Sequence, residues 1–291
     1  MHASGRPSLH RDRSGFTLIE IVVVLLILSV LIAMATAITR GVMAGQKRSL
    51  TATRMAGVDT ALMLYVQQQR RLPCPGDGTI ASTAANPGLE VRTAGGVCTG
   101  NQQNGVVPWR TLGITENDAT DGWDHRITYR VAPPLALDGG MDMSKCDPAG
   151  VDTTPVAGVC DTACTSSALT SCTNPNQFLG TIGLEVRSSD GVTKVMDPAA
   201  GSNTGAAYVL ISSGESGGGA YLSSGNLGAS TVGDGTQELK NYASQPFTPG
   251  VTYYVDNPLV DTQNLNHFDD VVSRPSILSI ASKAGLGPRA H

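Results

Sequence analysis

Residues 16–38 form an apolar run of 23 residues in which Glu20 is the only charge. At about 1.5 Å rise per residue, a helix of that length covers a hydrocarbon core of about 30 Å. The pattern therefore predicts one transmembrane helix over 16–38. Beyond it, Met55, Val58, Leu62 and Tyr65 recur at helical spacing, while Arg54, Asp59 and Gln67 to Gln69 fall between them. That periodicity continues the helix over 39–72 with one apolar stripe, and the breaker run Leu72-Pro73-Cys74-Pro75-Gly76 ends it. The predicted rod, from Phe16 to about Arg71, is about 84 Å long.

After Cys74 the period changes. Arg126-Ile127-Thr128-Tyr129-Arg130-Val131 alternates strictly, as a strand with one wet face does, and 181–187 nearly does. Ala206-Ala207-Tyr208-Val209-Leu210-Ile211 is continuously apolar, which suits a central strand covered on both faces. Residues 251–255 and 276–280 are further strand candidates. An antiparallel sheet laid on the second half of the helix buries both apolar surfaces and gives an α+β fold. The expected organisation is a leader at 1–15, a membrane helix at 16–38, its extracytoplasmic continuation at 39–72 and a soluble β domain at 73–291.

The flanks orient the apolar helix. Residues 1–15 carry Arg6, Arg11 and Arg13 against Asp12, which places the N-terminus in the cytoplasm and the bulk of the chain outside. The rule compares both flanks, and Arg40, Lys47 and Arg48 lie on the far one. A secretory signal peptide has an apolar core of only about 7 to 15 residues; Ala33, Ala35 and Ala37 keep that alternative open. A lone carboxylate near the centre of a membrane helix costs roughly 2.5 to 3.5 kcal/mol on insertion scales, so Glu20 calls for a partner.

Gly15-Phe16-Thr17-Leu18-Ile19-Glu20, behind a basic leader and ahead of an apolar helix, resembles the processing motif of type IV pilins and of the pseudopilins of type II secretion. The resemblance implies cutting after Gly15 and N-methylation of Phe16 by a prepilin peptidase/methyltransferase at the inner membrane, then assembly with other pilins or pseudopilins into a filament. Cleavage makes a positive amine at Phe16, and Glu20 lies about one turn away, near a helix N-terminus that favours an anion. Pairing Glu20 with the amine of a neighbouring subunit neutralises both charges where either alone is costly. Removing 15 of 291 residues leaves a chain longer than the family's common major subunits, which points to a minor pilin, with a pseudopilin as the alternative. Gly41 and Gly45 form a Gly-x-x-x-Gly pair that either admits a neighbouring helix or loosens this one; in the family that part of the helix can melt on packing.

Three further segments resemble recurring phrases of large pilin-like proteins. They are Val106-Val107-Pro108-Trp109-Arg110-Thr111-Leu112-Gly113, Asp121-Gly122-Trp123-Asp124 and Phe268-Asp269-Asp270-Val271-Val272. In the second, Asp124 stands where the family's Asp-x-Trp-Gly turn has glycine.

Charge narrows the partners. The chain has 20 basic and 24 acidic residues, a net charge of −4, and losing the leader makes it more acidic by two. Broad nucleic-acid binding needs a basic footprint, so no nucleic acid is expected, and the local pair Arg70 and Arg71 is the one place where DNA could bind. The cysteines Cys74, Cys98, Cys146, Cys160, Cys164 and Cys172 all follow the apolar helix, where an oxidising compartment makes them disulfides. Fifteen pairings are open, with proximity favouring Cys74 with Cys98; a zinc site at Cys160, Cys164 and Cys172 lacks the usual paired short spacings and histidines. Insertions at 86–103 and 141–176 carry cysteines and little periodicity, as exposed variable loops do.

Chemistry enters at two places. Gly214-Glu215-Ser216-Gly217-Gly218 matches Gly-x-Ser-x-Gly, but glycines follow where a nucleophile elbow leads into a helix; His267 and Asp269 are the partners a hydrolase would need. Asp234, Asp269 and Asp270 are calcium candidates, since Ca²⁺ takes several oxygen ligands from outer loops and some pseudopilins hold calcium near the end of the chain. The expectation is a structural subunit without catalysis or obligatory cofactor, with a pilin-stemmed surface adhesin and a membrane-anchored hydrolase as rivals.

Overall fold

A computed structural model describes residues 18–143, 179–199, 201–229, 235–260 and 265–287. The chain divides into two compact units, Met1–Gly45 and Gln46–His291. Helix α1, Leu18–Gln69, runs through both.

In the first unit the side chains of residues 18–34 on α1 are all exposed. Glu20 sits in the first turn of α1, and among the described residues it makes no ion pair. Among the described residues, no helix is long and apolar enough to cross a membrane, so the span expected over 16–38 is not shown. Residues 16 and 17, and the side chains of 35–40, lie outside the described set. α1 stays helical through Gly41 and Gly45, and a Cβ at either glycine would meet nothing within 4 Å.

The second unit is an α+β domain. Thr51, Met55, Val58, Leu62 and Val66 are buried at helical spacing on α1, while Gln67 to Gln69 are exposed. Arg70 takes a left-handed backbone, φ 55°, and Pro73 and Pro75 forbid further turns of helix. Then follow β1 (Gly76–Asp77), β2 (Gly105–Val106), the short α2 (Trp109–Leu112), β3 (Thr128–Val131), β4 (Glu185–Arg187), β5 (Lys194–Met196), β6 (Tyr208–Ser212), β7 (Tyr253–Val255), β8 (Val271–Ser273) and α3 (Ile277–Lys283). The first sheet has the order β1-β2-β3-β6-β8 and is antiparallel throughout. The second, β5-β4-β7, pairs β4 with β7 in parallel, a departure from a wholly antiparallel expectation.

The main sheet packs on the second half of α1 through apolar and polar contacts together. Val58 and Leu62 share one core with Tyr129, Val131, Tyr208 and Leu210. At its centre Asp59 accepts hydrogen bonds from the Tyr208 hydroxyl at 2.8 Å and the Ser273 hydroxyl at 3.0 Å. Burial raises the Asp59 carboxyl above its ordinary range, and these two donors oppose the shift. As expected, β6 is buried along its whole length.

β3 departs from its alternating pattern, because all four of its residues are buried. Arg130 points away from water and donates to the carbonyls of Gly105, Ala243 and Gln245, so the segment around Ala243 covers the sheet face that the alternation assigned to solvent. Residues 276–280 are not a strand: Ser276 caps α3 by accepting from the Ser279 N–H, and Ile277, Ile280 and Ala281 are buried at helical spacing.

The turn at 121–124 forms with Asp124 in a left-handed conformation at its last position. Asp124 has φ 68°, a left-handed conformation that Asp tolerates better than most residues. The fully buried Asp121 accepts from the N–H groups of Trp123 and His125 and from the Ser212 hydroxyl. A Cβ on Gly122 would lie 2.4 Å from the Lys47 carbonyl oxygen, so glycine is required there for the turn to dock on α1. Arg54 completes the dock by donating to Thr120 O, Asp121 O and Asn117 Oδ1.

Candidate functional site

Two places carry function-bearing chemistry, the start of α1 and a buried acid–histidine cluster in the β domain. Gly15 and Phe16 lie outside the described residues, as do Cys146, Cys160, Cys164, Cys172 and Asp234. Cys74 and Cys98 form the disulfide that their proximity favoured, 24 residues apart in sequence. It closes the loop that carries Glu90, which forms a two-point pair with Arg71 just before the loop, at 2.9 and 2.7 Å, and also accepts from the Cys74 N–H. Burial pushes the Glu90 carboxyl up, but the hydrogen bonds and charge of Arg71 together with the Cys74 N–H outweigh it and hold the group below its ordinary value. Arg70 pairs with Asp142 at 2.8 Å, so both arginines of the suggested DNA patch are already engaged within the fold.

The cluster joins two segments of the β domain. Glu238 begins the one-turn 3-10 helix Glu238–Asn241, and His267 and Asp269 lie just before β8. All three are buried, and their ligand-type atoms lie within 4.8 Å of one another. The segments meet closely because residue 235 is glycine: a Cβ there would stand 1.9 Å from the His267 carbonyl oxygen. Glu238 accepts from the N–H groups of Gly235 and Asp269, both at 3.1 Å. Asp269 accepts from the Ser216 N–H at 2.7 Å and from the Ser216 hydroxyl at 2.9 Å. Burial raises the Glu238 carboxyl, and the Asp269 carboxyl beside it pushes it further, to about 8. His267 Nε2 is 3.7 Å from Asp269 Oδ2, beyond hydrogen-bond range, and among the described residues neither of its ring nitrogens has a hydrogen-bond partner.

This arrangement bears on both chemical expectations. Ser216 is 1% exposed and its hydroxyl lies against Asp269 and the Ser213 carbonyl, so a carboxylate occupies the place a catalytic base would need. Gly214 and Gly217, both at positive φ, bend the loop back rather than starting a helix. Of the calcium candidates Asp234 lies outside the described residues, and Asp269 and Asp270 have different partners. Asp270 instead accepts from the Asn241 amide at 2.7 Å, because consecutive residues of an extended segment point to opposite sides. What the sequence reading missed is Glu238, which carries no local signal: Gly235 beside a buried acid is meaningful only once residues 265–269 lie against it.

A family model of the prokaryotic N-terminal methylation motif matches residues 10–36. The chain carries a prepilin-type N-terminal methylation motif. Such a motif is consistent with the type IV pilin and pseudopilin family, and it implies processing by a prepilin peptidase, a membrane-anchored N-terminus and assembly with other pilins. No curated protein and no solved structure matches the chain.

Proposed function

We propose that this prepilin is cut after Gly15, methylated at Phe16 and assembled as a minor structural subunit of a type IV pilus-like filament, without catalysis of its own. The observation that carries the reading is that the motif at 10–36 leads into a helix whose side chains at 18–34 are exposed, with Glu20 in its first turn. A surface of that kind needs a surrounding that the described residues do not supply: first the inner membrane, then the packed stems of neighbouring subunits. Glu20 is the residue that neighbours neutralise, through the amine that cleavage creates.

Mass spectrometry of the protein from its native host is expected to find a mature chain starting at methylated Phe16; a chain starting at Met1 would overturn the assignment. Glu20→Ala is expected to leave membrane insertion intact and to reduce incorporation into filaments, read by immunoblot of sheared fibres. Equal incorporation would remove the proposed pair. The motif is shared with pseudopilins, so the second reading is a subunit of type II secretion. Deleting the gene separates the two: loss of surface fibres supports the pilus, and loss of exported enzymes with fibres intact supports secretion.

A further inference from the structure

We propose that Glu238, His267 and Asp269 bind a zinc ion that clasps residues 235–241 to residues 265–269 of the outer domain. The site rests on the β domain alone and does not depend on the filament reading.

Two independent observations meet here. The first is convergence: one imidazole and two carboxylates, all buried, present ligand atoms within 4.8 Å of one another. Tetrahedral coordination with bonds of about 2.0 to 2.2 Å separates neighbouring ligand atoms by about 3.4 Å, and His267 Nε2 already stands 3.7 Å from Asp269 Oδ2. The second is the state of His267. It is 4% exposed with both ring nitrogens unpartnered among the described residues, although leaving a buried polar atom without a partner is destabilising. A ligand with lone-pair demand resolves that deficit, and a dication also cancels two carboxylates that burial otherwise penalises.

The surroundings are organised as metal sites are. Both oxygens of Asp269 are oriented by Ser216, and both oxygens of Glu238 by backbone N–H groups, which fixes the ligands while leaving a lone pair on each oxygen for an ion. His267 also lines a cavity of about 580 Å³, together with Ser189, Thr236, Asn257 and Asn266. Of the three ligand residues, His267 alone lines it, so the cavity meets the cluster on its imidazole side. Donor type selects the ion: Ca²⁺ takes six to eight oxygens, whereas an imidazole with two carboxylates suits a four-coordinate zinc.

The test uses the full chain in detergent micelles, stripped with chelator and titrated with ZnCl2 alone. The expected result is one zinc per chain, a Tm raised by about 5 °C or more at 100-fold excess over Kd, and no binding of Ca²⁺ in the same range. Glu238→Gln and His267→Ala are each expected to weaken zinc binding at least tenfold and to lose the Tm shift, whereas Asp270→Asn retains both. Zinc-edge X-ray absorption of the wild-type chain, which needs no variant to fold, is expected to show nitrogen and oxygen ligands only. Failure to bind zinc stoichiometrically, sulfur in the coordination shell, tighter binding of Ca²⁺, or unchanged zinc affinity in a folded His267→Ala chain would each overturn the site.

Discussion

Along α1, one continuous helix serves two different surroundings. Its large apolar side chains between residues 18 and 34 are 46% to 82% exposed, on every side of the helix. After residue 50 the apolar positions narrow to one stripe, Met55, Val58, Leu62 and Val66, and that stripe is buried against the sheet of its own chain. The backbone is the same, so secondary structure does not distinguish the halves. The distribution of apolar side chains does: a helix apolar all round requires a medium or neighbours, whereas a striped one requires a single partner surface. The outer domain adds a second contrast. Its core admits charge wherever each donor finds a carbonyl or carboxylate, as at Asp59, Arg126 and Arg130, while in the first half of α1 Glu20 has no such company among the described residues.

The sharpest way to break this contrast is at Arg126. Its guanidinium is 1% exposed, pairs with Glu116 at 2.8 Å, donates to Gly78 O and Ile80 O and lies 4.9 Å from the Trp109 ring. Arg126→Ala is expected to destabilise the outer domain by about 3 to 5 kcal/mol, because the buried acceptors lose their donor. Denaturant unfolding followed by near-UV circular dichroism reads it, and a loss below about 1 kcal/mol would show that the loops at 78–82 are held by other means.

The next effect compares the halves of α1 directly. Leu62→Ala is expected to cost about 2 to 5 kcal/mol by leaving a cavity under the sheet. Leu25→Ala should leave unfolding of the outer domain within about 0.5 kcal/mol of wild type while reducing assembly. If both changes lower the unfolding midpoint alike, the first half of α1 is packed by its own chain and the contrast fails.

The smallest effect sharpens the account of the neck below α1. Glu90 is held below its ordinary pKa of 4.5 in the folded chain, so its contribution is fully present above that value and is lost as pH falls through the depressed one. Glu90→Gln is expected to flatten the acid limb of stability between about pH 5 and pH 2, with little change in the slope above pH 6. A variant with an unchanged acid limb would mean that Arg71 is satisfied by Asp138, 3.6 Å away.

Much of this was legible in the chain, and the misses share a cause. The end of α1 near Arg71, the buried stripe and the central strand β6 all follow from local period and from breakers such as Pro73 and Pro75. β3 misled because strict alternation implies a wet face, yet Arg130 is covered by a segment more than a hundred residues away. Its neighbour β6 held the available signal. A strand apolar on both faces implies cover on both, and β3 pairs with it residue for residue from Thr128↔Ile211 to Val131↔Tyr208. The helix α3 was read as a strand because its seven residues are too few for helical period to outweigh β-branched Ile277 and Ile280.

The sequence by itself determined the delivery and packing features: the processing motif, the apolar stem and the single acid within it. These are set by residues adjacent in the chain, where spacing alone fixes geometry. Tertiary structure decided that Asp124 can stand in for glycine, that two arginines lie inside, and that Glu238, His267 and Asp269 converge beneath Ser216. Those outcomes depend on which distant segments touch, and a carboxylate's partner across dozens of residues leaves no trace in local period.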